Sequence, residues 1–250
     1  MSGHSKWSTI KHKKAILDAR RGKAWSKFAK AITVSAKTGG GSIADNPRLR
    51  LAVDKAKEAN MPKDTIEKAI KKGTGELEGE SFEEVIYEGY GPGGVAVMCR
   101  VLTDNRNRTA GEIRKIFDRA GGNLGPTNCV AFQFSQKGVV VVAAEKVAED
   151  RILEIGLEAG ADDVTSSAHI HEILCKPDRF EAVKSTVAAA GIEIQSADIS
   201  MVASNLIALE LTTARKVMNL VNTLEEHDDV DAVYSNSDIS DEVVAQLSKE

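Results

Sequence analysis

A short segment rich in glycine and glutamate, residues 74–80, divides this chain of 250 residues into two parts of different texture. Before it, apolar residues recur at helical spacings; after it, short apolar strands alternate with helices. The segment itself has no apolar periodicity, so we interpret it as a linker. The chain must therefore build more than one core, and its length suits two or three domains.

The part before the linker predicts a small helical domain over residues 1–75. Proline is absent and glycine is rare between residues 8 and 37, which fits one or two helices. Pro47 follows a glycine-rich loop and is placed to open another helix. Pro62 and Gly73 then bracket a last helix, as start and stop signals do.

The part after the linker predicts two α+β domains. Residues 137–202 follow the order β-α-β-β-α-β of a ferredoxin-like domain. Residues 81–136 predict a β-α-β unit, and residues 203–250 supply the elements that complete it. The strands predicted for this discontinuous domain lie at 95–102, 130–134, 206–211 and 230–234. The expected fold class is therefore α+β: an N-terminal helical bundle and two ferredoxin-like α+β domains, the third inserted in the second.

Charge is divided between the same two parts. Residues 1–75 carry 18 Lys and Arg against 6 Asp and Glu, a net charge of +12. The rest of the chain carries 15 against 31, a net charge of −16, which the overall value of −4 conceals. Such asymmetry indicates a region that binds a polyanion, joined to an acidic body.

The first thirty residues are the most basic segment, with nine Lys and Arg against one acid, Asp18. These cations attract phosphates, and the rings of His4, Trp7 and Trp25 are candidates for stacking on a base or sugar, although the helical spacing of Trp25 favours a core position. A solvated helix face is the alternative, but such faces normally mix both signs. We therefore predict nucleic-acid binding by His4, Lys6, Trp7, Lys11, Lys13, Lys14, Arg20, Arg21, Lys23 and Lys27.

A second basic stretch, TDNRNRT at residues 103–109, opens the helix predicted over residues 108–120. Free amides at a helix N-terminus, together with Arg106 and Arg108, would make a phosphate seat, so both join the predicted nucleic-acid-binding residues. A tight strand-to-helix turn satisfied by Asp104 and the asparagines explains the same residues equally well. The two interpretations stay open at this point, as does a contact with the inserted domain.

No motif predicts catalysis, a cofactor or a metal. Residues 89–94 match GxGxxG, but they precede a strand and contain a proline, so we interpret them as a turn. His169 and His171 share one face of a predicted strand without further ligands, and we interpret them as surface histidines. The acidic stretch 225–231 is interpreted as a solvated helix end and turn.

The cysteines and the hydropathy suggest a cytoplasmic protein. Cys99, Cys129 and Cys175 are far apart and odd in number, so we expect reduced and mostly buried thiols. No stretch approaches the roughly 18 apolar residues that span a bilayer. The N-terminus lacks the apolar core of a signal peptide. We expect no membrane contact and no small-molecule substrate.

Segments spread along the whole chain resemble the YebC family of regulators. They lie at residues 3–8 (GHSKWS), 10–15 (IKHKKA), 46–51 (NPRLRL), 65–73 (TIEKAIKKG), 86–95 (IYEGYGPGGV), 102–110 (LTDNRNRTA), 120–126 (AGGNLGP) and 237–243 (SDISDEV). The resemblance implies a helical bundle and two α+β domains, the third set within the second. It also implies a non-enzymatic role, as a DNA-binding transcriptional regulator or as a ribosome-associated factor that aids translation.

The nucleic acid itself is left open by the sequence. Residues 8–35 offer mostly lysine, whereas helices that read bases use Asn, Gln or Arg, so binding to the phosphate backbone is favoured. We predict a non-enzymatic regulator of gene expression that binds DNA or ribosomal RNA, with the ribosome as a candidate partner. An enzyme that processes RNA or nucleotides is the alternative, but no spacing supplies a convergent acid, base or nucleophile.

Overall fold

The structure is a computed structural model that describes residues 19–247. Its first unit is helical and consists of α1 (Ala19–Gly39), α2 (Pro47–Glu58) and α3 (Lys63–Thr74). Helix α1 packs against both of the others. None of the helices between residues 19 and 247 combines the length and the apolar character needed to cross a membrane.

Local chemistry sets the ends of these helices. The side chain of Asn46 accepts the Leu49 N–H at 3.0 Å and so caps α2, whose first residue is Pro47. Gly75 follows α3 in the left-handed conformation, with a φ of 82°, which glycine adopts without strain. Phe28 packs against the buried core of this unit, as expected from its spacing.

A four-stranded antiparallel sheet, in the order β3-β1-β2-β9, forms the second unit. Its strands are β1 (Glu83–Tyr90), β2 (Ala96–Thr103), β3 (Asn123–Leu124) and β9 (Val230–Ser235). Helices α4 (Arg106–Arg119) and α7 (Leu211–Glu226) cover one face, and Phe117 and Leu224 are fully buried there. A short parallel pair, β8 (Ile207–Ala208) with β10 (Ser237–Asp238), and helix α8 (Asp241–Leu247) complete the unit.

A second antiparallel sheet has the order β5-β6-β4-β7. Its elements are β4 (Phe134–Ala143), α5 (Glu149–Ala159), β5 (Asp163–Ser166), β6 (Ile170–Cys175), α6 (Phe180–Ala189) and β7 (Ile194–Ala203). They follow one another as β-α-β-β-α-β, the order predicted for this segment. The fully buried Phe180 and Ile152 pack its two helices on the sheet. The α+β class of the protein is thereby confirmed.

The first sheet differs from the sequence prediction in its strands. Helix α4 leads to β3 at residues 123–124, and the strand predicted at 130–134 is wrong, because Ala131–Gln133 form a single 3-10 turn. Strand β1, over residues 83–90, was not predicted at all. Strands β3, β1, β2 and β9 occupy the places that β5, β6, β4 and β7 hold in the other sheet. The spatial order is therefore ferredoxin-like, but the chain enters at a different strand.

Two smaller predictions have mixed outcomes. The interpretation of His171 as a surface residue is wrong, because its ring is buried between Ser166 Oγ at 2.8 Å and the Val147 oxygen at 3.0 Å. His169 is exposed, as predicted. The cysteines at 99, 129 and 175 are free thiols, and the first and last of them are buried.

Candidate nucleic-acid interface

The predicted nucleic-acid-binding residues fall into two groups. His4, Lys6, Trp7, Lys11, Lys13 and Lys14 lie outside the described residues. The backbones of Arg20 and Arg21 lie in the first turn of α1, but their side chains are outside what the structure describes. The side chains of Lys23, Lys27, Arg106 and Arg108 are described, and three of them lie where the helical unit meets the first sheet.

Two lysines of α1 face the acidic stretch between α7 and β9. Lys23 Nζ lies 2.9 Å from Asp228 Oδ1, and Lys27 Nζ donates to the backbone oxygen of Glu225 at 2.6 Å. Burial and the neighbouring charge of Lys23 lower the pKa of Lys27. The stretch 225–231 is therefore not merely solvated, as the sequence suggested, because it contacts the basic helix.

Asp229 is the centre of this junction. Its side chain is 5% exposed and lies 2.6 Å from Lys30 Nζ through Oδ1. Its Oδ2 lies 3.1 Å from Arg108 Nη2, 2.8 Å from Thr109 Oγ1 and 3.2 Å from Thr103 Oγ1. Burial opposes the charged form, but the hydrogen bonds from Lys30, Thr109 and Arg108 outweigh it and hold the pKa of Asp229 well below its usual range.

The stretch TDNRNRT forms the turn that leads from β2 into α4. Asn105 caps α4 by accepting the Arg108 N–H at 3.1 Å, and the Arg108 guanidinium lies 2.7 Å from Asp104 Oδ1. The tight-turn interpretation therefore describes these residues, and Arg108 is engaged with carboxylates of the same chain. Arg106 is exposed, and its backbone oxygen accepts the Tyr87 hydroxyl at 3.0 Å.

A cleft of about 500 Å³ opens beside this junction, between α1, α4 and the turn from α7 to β9. Its lining mixes cations and anions: Lys23, Arg108, Lys115, Arg119, Glu112, Glu226, Asp228 and Asp229, together with Ile116 and His227. The ring of His227 donates from Nε2 to Glu112 at 2.8 Å, because its Nδ1 accepts the Asp229 N–H at 3.1 Å. This bond fixes the turn against α4.

The predicted nucleic-acid-binding residues do not include Lys30, Asp229, Lys115 or Arg119, which lie in this region. The two on α4 had a signal, since the cleft-lining positions 108, 112, 115 and 119 recur at intervals of three and four and so share one helix face. Lys30 and Asp229 had none, because their contact joins positions 199 residues apart.

The helical unit also contacts both sheets through α2. Arg48 pairs with Glu84 at the start of β1, and Lys55 Nζ lies 2.5 Å from Asp198 Oδ2 on β7. Leu51 packs against the core of the second sheet. The side chains of both ion pairs are about one third to one half exposed, so each pair adds only about 0–1 kcal/mol to stability.

These contacts define the class of protein: an α+β protein whose basic helical unit is docked on an acidic body of two antiparallel sheets. The chain belongs to the TACO1/YebC family. The model described as TACO1/YebC protein N-terminal domain matches residues 5–76, and that described as TACO1/YebC second and third domain matches residues 82–237. The resemblance found in the sequence is thereby confirmed.

Similar proteins match this chain over nearly its whole length. A probable transcriptional regulatory protein of Desulforapulum autotrophicum is 53% identical over 97% of this chain and 98% of its own. Another, of Geobacter sulfurreducens, is 52% identical over 99% and 100%. The crystal structure of a conserved hypothetical protein from Aquifex aeolicus has a TM-score of 0.80 and 48% identity, and the match covers 90% of this chain and 93% of that one.

Proposed function

We propose that this protein is a non-enzymatic regulator of gene expression that binds the phosphate backbone of nucleic acid through its basic N-terminal region. The observation that carries the proposal is the charge division, with +12 in residues 1–75 against −16 in the rest. An acidic body repels nucleic acid, so a polyanion is directed to the N-terminal region. The names of the relatives as probable transcriptional regulatory proteins support a regulatory role.

The junction geometry refines which cations are available to a phosphate. The ammonium groups of Lys27 and Lys30 are held by the turn from α7 to β9, so we assign both to docking. Lys23 is 45% exposed beside an Asp228 that is 75% exposed, and this surface pair is weak enough to open for a phosphate. Lys68, Lys71 and Lys72 are exposed on α3 and add to the basic surface.

Two targets remain candidates, DNA in transcription and ribosomal RNA in translation. The relatives' names favour DNA. Among the side chains that the structure describes, the exposed cations of α1 and α3 are lysines, which contact phosphates as point charges and do not read base edges in pairs. This favours backbone binding of low sequence specificity, which suits a ribosome-associated factor equally well.

We further propose the domain boundaries that the sequence suggested: 1–75, 81–136 with 203–250, and 137–202. Strands β4 to β7 pair with one another in one sheet. Strand β9 follows them in the chain but pairs with β2. Because the chain returns to the first sheet after it has formed the second, we infer that the third domain is inserted into the second.

The decisive test reverses charge in the most basic segment. Replacing Lys11, Lys13 and Lys14 with glutamate is expected to weaken binding strongly and to flatten its salt dependence, because fewer counterions are released. Binding is measured by fluorescence anisotropy with labelled genomic DNA fragments and with ribosomal RNA fragments at several salt concentrations. Unchanged affinity in the triple variant contradicts the proposal.

A matched control applies the same change of charge elsewhere. The control variant carries glutamate in place of Lys176, Arg179 and Lys184, which lie in α6 or just before it. It is expected to retain most of the affinity. Co-sedimentation of both variants with ribosomes then separates the two targets. If the wild type associates with ribosomes in a salt-sensitive way and only the N-terminal variant loses this association, a role in translation is favoured. If the wild type binds DNA fragments but does not associate with ribosomes, a role in transcription is favoured.

A further inference from the structure

The last two turns of α4 present a pair of cations to the cleft. Lys115 and Arg119 are four residues apart, so they lie one above the other on the helix face that also carries Arg108 and Glu112. Arg108 is paired with Asp104 and Asp229, and Glu112 is bonded to His227. Within residues 19–247, Lys115 and Arg119 have no such partner and are exposed.

An arginine and a lysine at this spacing suit a phosphate group. The planar guanidinium donates to two phosphate oxygens at once, and the ammonium adds a mobile point charge. The carboxylates of Glu226 and Asp228 line the same cleft on the turn from α7 to β9. They repel a phosphate but accept hydrogen bonds from sugar hydroxyls and base amino groups. The charges of the lining therefore favour a ligand with an anionic end and a donor end.

The size of the cleft limits what it can hold. Its volume of about 500 Å³ falls within the range of roughly 300–1,000 Å³ of sites that enclose small molecules. One nucleotide unit of a single strand fits such a volume, whereas a duplex does not. Ile116 contributes an apolar patch to the wall, against which a base or sugar can pack.

The position of the cleft connects it with the proposed N-terminal binding region. Lys23 in the second turn of α1 lines the cleft, and it belongs to the basic segment that is proposed to bind phosphates. A strand whose phosphate is bound at Lys23 is therefore already at the edge of the cleft.

We propose that this cleft is a second nucleic-acid contact, which takes one nucleotide of a single-stranded segment with its phosphate against Lys115 and Arg119. The inference rests on the proposed function, since it presupposes that the protein binds nucleic acid. It adds a site on the second unit and a preference for single strands, neither of which follows from the basic N-terminus.

The test compares two variants of the full chain that lose the same charge. Lys115→Gln/Arg119→Gln removes the cations of the cleft, and Lys176→Gln/Arg179→Gln removes two exposed cations at the start of α6. The probes are fluorescein-labelled oligouridylate and oligothymidylate, with a duplex of equal length for comparison. We expect the cleft variant to lose about tenfold in single-strand affinity, and its plot of log affinity against log salt concentration to be shallower by about 0.7, because one phosphate contact is lost.

A second measurement locates the contact in the wild type without any substitution. Oligouridylate that carries 4-thiouridine is photocrosslinked, and the crosslinked peptides are identified by mass spectrometry. Crosslinks are expected in α4 or in the turn at residues 226–229. Crosslinks found only in other parts of the chain contradict the proposed contact in the cleft.

The outcomes separate the cleft from the proposed function. If the cleft variant binds single strands like the wild type, or if both variants lose the same affinity, the proposed contact in the cleft is contradicted and the proposed function stands. If the wild type binds none of the probes, both fall. Loss for oligouridylate alone identifies RNA as the ligand and equal loss for both probes identifies the shared phosphodiester, and either result supports the cleft.

Discussion

Asp229 is the most buried of the carboxylates that join the helical unit to the first sheet. It is almost fully buried, and it is bonded to Lys30 of α1 and to Arg108 of α4. Removing its charge leaves the half-buried Lys30 without its carboxylate partner and leaves Arg108 with Asp104 alone, so Asp229→Asn is expected to lower the free energy of unfolding by about 2–4 kcal/mol. Urea unfolding measures this loss. Asp228→Asn is the control, and its exposed pair with Lys23 predicts a loss below about 1 kcal/mol.

The same carboxylate predicts how stability depends on pH. The pKa of Asp229 is lowered on folding, so its contribution is complete above the ordinary carboxyl pKa of about 4. That contribution is lost as the pH falls toward the lower pKa of the folded state. Urea unfolding is followed by circular dichroism at several pH values, from neutral down to the lowest pH at which the protein stays folded. The free energy of unfolding is expected to fall with pH, and to fall less in Asp229→Asn. Identical profiles would contradict this role.

Two helical glycines are expected to respond in opposite directions to alanine. A Cβ at Gly73 of α3 would lie 2.4 Å from the Thr33 oxygen and 2.7 Å from the Ala36 Cβ of α1, so the helices would have to separate. Gly73→Ala is expected to destabilise by about 1–3 kcal/mol. A Cβ at Gly111 of α4 meets nothing within 4 Å, and Gly111→Ala is expected to stabilise by up to about 1 kcal/mol. Thermal unfolding of both variants measures the contrast.

At the scale of elements, the sequence predicted helices α1 to α7 and the second sheet well, because each follows a local period, but it gave no helix at Asp241–Leu247. It failed around β1, whose partners lie elsewhere in the chain. The buried carboxylate of Glu88 on β1 accepts the backbone N–H groups of Asn128, Val130 and Ala131 at 2.8–2.9 Å. These amides are therefore unavailable to a neighbouring strand, and Ala131–Gln133 form a turn. A contact between distant residues leaves no such local pattern.

Glu88 thus predicts the behaviour of the segment that it holds. Glu88→Gln keeps the shape of the side chain but replaces one accepting oxygen with an NH₂ group, which cannot accept a hydrogen bond. We expect faster hydrogen exchange at residues 128, 130 and 131, with little change in α5 and α6, which pack on the other sheet. Glu84→Gln, on a side chain of the same strand that is about one third exposed, is the control. Unaltered exchange at these amides would show that the carboxylate does not hold the turn.

At the scale of the whole molecule, the lysines of the basic helical unit divide into those that contact the acidic body and those that are exposed. The sequence indicated a polyanion-binding region from composition, but it did not distinguish cations that dock from cations that remain exposed. Lys27 contacts the turn from α7 to β9 at the Glu225 oxygen, and Lys71 and Lys72 are exposed on α3. The acidic body thus covers part of the basic surface, and under the proposed function the exposed lysines are the ones that bind nucleic acid.

This division predicts that binding and stability are separable. Lys71→Gln/Lys72→Gln is expected to reduce nucleic-acid affinity by about threefold to tenfold and to make the salt slope shallower, with the unfolding free energy unchanged within about 0.5 kcal/mol. Lys27→Gln is expected to lower stability by about 1 kcal/mol while salt slope and affinity stay close to the wild type. Anisotropy titrations and urea unfolding of the same preparations give both quantities. If Lys27→Gln makes the salt slope as shallow as the α3 variant does, Lys27 contacts a phosphate, and the turn must release it when nucleic acid binds.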